Sequence, residues 1–285
     1  FEVQSEVVST VVRSLKAVIS PSEEIEIARK PTEHPGAYNY YSQGVNYQKN
    51  YELSRDAEDY LKAKDLYEKA TELDSTFADA YCRLGLIYIH NLSFTGLSNE
   101  KLKNYNLFLD SGLVMTEKAL LYETSLTNEA YRLKGNYYQL KGNYQKAVEF
   151  YDIAFKNNER DHWYYEANFH NYYHGQDFYN TIESFYEFMK IKPDTTAPQV
   201  MINKLIRCLG WTGFPEPARK YAWELLELSS DSNVYSNNLI IIDLMACNYK
   251  LAVEALEQNF KKDSTNIGLA SYIMSWYLHL KDYKN

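Results

Sequence analysis

His170 and His174 stand one helical turn apart in the stretch ANFHNYYHGQD, with Glu166 a turn earlier and Asp177 just beyond. Two imidazoles at i and i+4 share one helix face and can hold a single divalent metal. A third ligand such as Asp177 would have to fold back to complete the set. The plainer reading is a polar face near a helix end, and it is preferred, because no further Cys or His falls at metal-ligand spacing. Nothing else suggests reaction chemistry. The sequence carries no glycine-rich phosphate loop and no G-x-S-x-G, so neither a catalytic centre nor a cofactor is expected. Acidic residues are plentiful, as in EKATELD, but they fall on solvent faces of helices and not as an acid/base pair.

The elements that must position these residues are helices. In NEAYRLKGNYYQLKGNYQKAVEFYDIAFKNNERD, Asn128 to Asp161, the residues Tyr131, Gly135 and Tyr138 share one side of a first helix. Ala147, Tyr151 and Ala154 do the same on a second, and Lys141-Gly142-Asn143 is the turn between them. Two helices approach closely only where a side chain is absent or is a single methyl, and the large Tyr residues fill the groove beside that contact. A helix hairpin of about 34 residues with this small and large pattern resembles the tetratricopeptide repeat (TPR) family. The resemblance implies an all-α fold, a right-handed superhelix of about six repeats over residues 37–285.

Other stretches fit the same frame. The first repeat places Tyr40, Gly44 and Tyr47 on helix A and Ala63, Tyr67 and Ala70 on helix B, with a turn stretched over Tyr51 to Glu58. ADAYCRLGLIYIH is helix A of the second; its helix B is expected from about Glu100 to Leu121, after an insertion near His90 to Lys103. The fourth runs His162 to Thr195, with Phe169 where Gly135 stood. The fifth carries Ile202, Leu205, Ile206 and Leu209, then Ala218, Ala222 and Leu225 behind Pro215. The sixth has Leu239, Ile240, Ala252 and Leu256, and IGLASYIMSWYLHL reads as an unpaired seventh helix A.

Residues 1–36 read as a helical linker. Val3, Val7, Val11, Leu15 and Val18 form an apolar stripe over Phe1 to Ile19. The pattern QSEVVSTVVRSLKAVISPSEEIEIARKPTEHPGAYNYYSQG resembles the junction at which a TolB-like domain gives way to TPRs in bacterial adenylate cyclase-type and winged-helix signalling proteins. That implies a piece of a larger bacterial signalling protein, cytoplasmic or periplasmic according to what precedes it. A start at Phe1 without Met fits a piece.

Composition narrows the partner. Net charge is −8 and no basic stripe is present, which argues against nucleic acid. No apolar run is long enough to span a bilayer. Tyr is abundant at 28 residues; its ring fills a groove while its hydroxyl meets water, as a thin solenoid requires. Cys82, Cys208 and Cys247 sit in apolar helical patterns and read as buried thiols.

The TPR resemblance implies that helix A residues face the concave side. By phase these are Tyr38, Tyr41, Arg132, Asn136, Trp163, Glu166, His170, Tyr173, Asn203, Arg207, Trp211 and Asn237. Aromatics, Asn and Arg are residue types that bind extended peptides. Arg132 and Asn136 match the first helix of the subgroup that clamps a C-terminal carboxylate; that resemblance would call for Asn where Ala167 stands and for Lys and Arg where Val200 and Lys204 stand, so only part of the clamp is present. The leading expectation is a scaffold for a protein or peptide with carboxylate and apolar side chains. The alternative is a small-ligand sensor, with Trp163, Tyr173 and Trp211 walling a pocket; a closed cavity would favour it, an open groove the peptide.

Overall fold

The computed structural model describes residues 30–90, 105–156, 160–192, 197–229, 232–246 and 248–262, with positions 6, 7 and 10. Those three positions, the only described part of the expected Phe1 to Ile19 helix, are helical. The seventh helix A, Cys247 and nearly all of the expected insertion lie outside the described residues.

The described residues form twelve helices and no strand. They divide into two compact units, residues 1–158 and 159–285. The first holds α1 (Pro35–Ser54), α2 (Ala57–Leu73), α3 (Ala78–His90), α4 (Tyr105–Leu121), α5 (Thr127–Leu140) and α6 (Tyr144–Ala154). The second holds α7 (His162–His174), α8 (Phe178–Ile191), α9 (Gln199–Trp211), α10 (Pro215–Ser229), α11 (Ser232–Met245) and α12 (Tyr249–Lys262). In each unit the helices pair as hairpins: α1 with α2, α3 with α4, and so on to α11 with α12.

Short polar residues start many of these helices. Asp56, Asn143, Asp161 and Asp177 each accept a hydrogen bond from a backbone N–H in the first turn of the helix they precede, satisfying a donor with no intrahelical partner. In the first unit, buried Asp79 on α3 ties down the turn after α4. It accepts from the Thr124 hydroxyl at 2.6 Å, the Ser125 N–H at 2.8 Å and the Ser125 hydroxyl at 2.7 Å.

The hairpin contact is set by small residues. Tyr151 on α6 is fully buried, and its ring lies where a β-carbon on Gly135 would have to go. Its hydroxyl lies 2.6 Å from the side-chain oxygen of Asn136 and 2.8 Å from that of Gln139, both on α5, and the two oxygens share its single proton. Gly44 stands in the same relation to Tyr67, which would meet an added β-carbon at 2.7 Å. In the second unit Phe169 replaces this glycine. It is completely buried, 6.2 Å from the ring of Phe185, and joins Met201, Leu205, Ala218, Ala222 and Leu225 in the core of that unit.

The stretched first turn is not observed. α1 runs on to Ser54 and α2 begins at Ala57, leaving two residues between them. Tyr51 and Tyr60 pack at 5.3 Å, so the extra residues extend both helices by a turn. Arg55, at φ 59°, closes α1 by donating its N–H to the Tyr51 carbonyl at 2.8 Å. Helix B of the second repeat is described from Tyr105, inside its expected range.

Candidate functional site

In the second unit the first helices of the three hairpins lie side by side, α7 against α9 and α9 against α11. Their shared face holds an open depression of about 520 Å³. Tyr173 of α7 lines it; so do Val200, Asn203, Lys204 and Arg207 of α9, and Asn238 and Ile241 of α11.

The repeat period generates this lining. His170, Lys204 and Asn238 follow one another at intervals of 34 residues, and Tyr173, Arg207 and Ile241 form a parallel series one turn further on. Equivalent positions in successive hairpins stack into rows along a repeat array.

The chemistry of the face is cationic with an aromatic edge. Lys204 Nζ lies 2.9 Å from Nδ1 of His170 and 3.1 Å from Nε2 of His174. An ammonium can only donate, so both ring nitrogens accept. Burial, then the Lys204 charge and His174, pushes the His170 pKa down to about 4. Burial and Lys204 also lower that of His174, and burial lowers that of Lys204 itself. The Tyr173 ring lies 4.9 Å from the ammonium, within cation–π range. Arg207 lies on the next turn, and among the described residues neither it nor Lys204 has a carboxylate at ion-pair distance. Asn238, buried, donates to the Asn203 side-chain oxygen at 3.0 Å. Trp211 stacks on Tyr173 at 6.3 Å and packs against Phe178 at 4.6 Å.

Of the residues placed in a groove by sequence phase, Tyr173, Asn203 and Arg207 line the depression and His170 and Trp211 border it. Trp163 and Glu166 are half-buried on α7 outside it. The side chain of Asn237, on α11, lies outside the described part. In the first unit the polar candidates are engaged internally. Arg132 pairs with Glu129 at 3.2 Å. The Asn136 amide lies 2.8 Å from Nε2 of His90 and accepts from Tyr151. Tyr41 is half-buried, its ring 5.9 Å from Tyr67 and 5.0 Å from Phe77, because helix A residues of the first repeat pack on both its own helix B and the next hairpin. Tyr38 is half-buried beside it, at 6.2 Å.

Val200 and Lys204, named from the sequence only as positions of the carboxylate-clamp pattern, also line the depression, as do Asn238 and Ile241, which helical phase alone leaves out. Stepping 34 residues from His170 or Tyr173 reaches Lys204, Asn238 and Ile241. For the two histidines, Lys204 occupies the position between them that a metal would need. Among the described residues no group of three His, Cys, Asp or Glu could hold a metal. Cys82 and Cys208 are buried, with burial raising both thiols to about 12.

No protein-family model and no curated protein matches the chain. Solved structures do. The chain is similar to YrrB, a TPR protein with an unusual peptide-binding site, at a TM-score of 0.53 and 17% identity over 73% of this chain and 97% of that one. It is also similar to the MamA protein, at a TM-score of 0.51 and 17% identity over 67% of this chain and 91% of that one. With the paired helices and small-residue contacts above, these likenesses define an all-α fold of the TPR type.

Proposed function

We propose that the chain is a binding scaffold and that its second unit takes an extended acidic peptide on the face of α7, α9 and α11. The observation that carries this is the pairing of Lys204 and Arg207, two cations on successive turns with no carboxylate at ion-pair distance, beside an aromatic edge. Like charges so spaced on a helix are mildly unfavourable, and a ligand carboxylate relieves them. Asn203 and Asn238 supply amide groups for a peptide backbone, and Tyr173 with Trp211 supplies a wall for an apolar or aromatic side chain. The peptide-binding site of the structurally similar YrrB is consistent with this use of the fold. The depression is open, which favours a chain segment over the small ligand that a closed cavity would hold. Binding is without turnover. The resemblance of residues 1–36 to a signalling-protein junction supports a role as the recognition module of a larger bacterial protein.

The test is fluorescence anisotropy with a labelled peptide of alternating Glu and Trp or Leu residues, beside the same peptide with Lys for Glu. The acidic peptide should bind, and the Lys204→Met/Arg207→Ala double variant should lose that binding. Equal binding of both peptides, or full binding by the variant, would overturn the assignment.

A further inference from the structure

The arrangement of Lys204 between two imidazoles has a consequence for how an anion is held. We infer that His170, Lys204 and His174 form a proton-linked anion anchor, so that the site takes up a proton together with the acidic side chain of its ligand. This rests on the peptide reading above.

Lys204 has three N–H donors. Two are directed to His170 and His174, which leaves one for a ligand. As long as the ammonium donates to Nδ1 of His170, that nitrogen cannot carry a proton. A carboxylate arriving beside Lys204 changes both terms. It offers the ammonium a stronger acceptor than imidazole, and its negative charge offsets the positive potential at His170. The imidazole is then free to protonate and to donate to the same carboxylate. Burial of His170 opposes protonation and the ligand does not relieve it, so the bound imidazole stays below its ordinary value.

The charges around the cluster are few. On α7, Glu166 lies a turn before His170, and Asp177 follows in the turn, held by the N–H and the amide of Asn180. On α9 the neighbours are Arg207 and Cys208, the latter neutral. Asn238 on α11 brings an amide and no charge, and Thr181 of α8 faces Cys208 with a hydroxyl. The groups whose positive charge acts on His170 are Lys204 and His174, the latter itself held down by burial and Lys204, so a ligand anion is what shifts the balance.

The expected result is tighter binding of the Glu-containing peptide at pH 5.5 than at pH 7.5, several-fold and at most about tenfold, since His170 can move from about 4 no further than its ordinary value near 6.5. Glutamate side chains remain mostly ionised at pH 5.5, and their slight protonation acts in the opposite direction. His170→Asn, which keeps an acceptor near Nδ1, should bring the ratio of the two affinities close to one. If that variant does not fold, the wild-type protein answers alone: calorimetry at pH 5.5 in buffers of different ionisation enthalpy counts protons taken up per peptide. A count near zero, a ratio of one in the wild type, or a ratio kept in His170→Asn overturns the anchor while leaving the peptide reading intact. Absence of binding at both pH values overturns both.

Discussion

Trp211 stacks on Tyr173, with ring centroids 6.3 Å apart and planes inclined by 28°. The indole stays 48% exposed, so this pair is a surface wall beside the cationic depression, and its loss costs the core little. Trp211→Ala should weaken binding of the acidic, aromatic peptide by about 2 kcal/mol, the scale of a hot-spot aromatic. The melting temperature should fall by only a few degrees. Isothermal titration beside thermal melting separates the two effects.

The contact between Gly135 and Tyr151 behaves in the opposite way. No side chain fits between α5 and the Tyr151 ring, so Gly135→Leu must push the hairpin apart. It also displaces a hydroxyl whose one proton is shared between the side-chain oxygens of Asn136 and Gln139. A loss of stability at or above the usual overpacking cost of about 1–3 kcal/mol is expected. The depression of the second unit shares none of these residues, so peptide binding measured below the melting transition should persist.

Asp79 makes a separate claim on stability. Its carboxylate gathers three hydrogen bonds from Thr124 and Ser125 in a buried setting. Asp79→Ala leaves the Thr124 hydroxyl and the Ser125 N–H without that acceptor. A cost of about 2–3 kcal/mol follows, within the range for buried bonds to a charged group. Urea unfolding should show a lower midpoint, and Asp79→Asn should recover part of it.

The histidine cluster gives stability a pH dependence of known sign. His170 is depressed to about 4 in the folded chain against about 6.5 when unfolded. The unfolded chain therefore binds the proton first as pH falls. The contribution of the neutral imidazole is intact above about 6.5 and is lost as pH drops towards 4. Lys204→Met removes one cause of the depression, so the variant should lose stability less steeply across that window. Melting curves at several pH values, with imidazole titration by NMR, check both statements.

Much of this was legible in the sequence. The spacing of Gly135 against Tyr151, and of Ala218, Ala222 and Leu225, shows which faces meet, because close packing dictates residue size and periodicity dictates direction. The length of the first turn was not legible. Tyr51 and Tyr60 meet across two helices, and no local signal says that a polar stretch will be helical when its neighbour supplies a ring. The surroundings of Tyr41 were not legible for a related reason: phase assigns a face, but what packs beside it depends on Phe77 and Arg83 from the next hairpin. Lys204 was legible only as a position of the carboxylate-clamp pattern; its contacts with His170 and His174 were not, because that role is relational. It matters as the residue one repeat beyond His170, and a single helix read by itself does not contain that fact.

Photo-crosslinking tests the central claim most directly. The acidic peptide, carrying a photoreactive group at its apolar position, is bound, irradiated and located by mass spectrometry. Crosslinks are predicted on the face of α7, α9 and α11, at Tyr173, Val200, Arg207, Trp211 or Ile241, and should be competed by unlabelled peptide. Competable crosslinks confined to α8, α10 or the first unit would contradict the account.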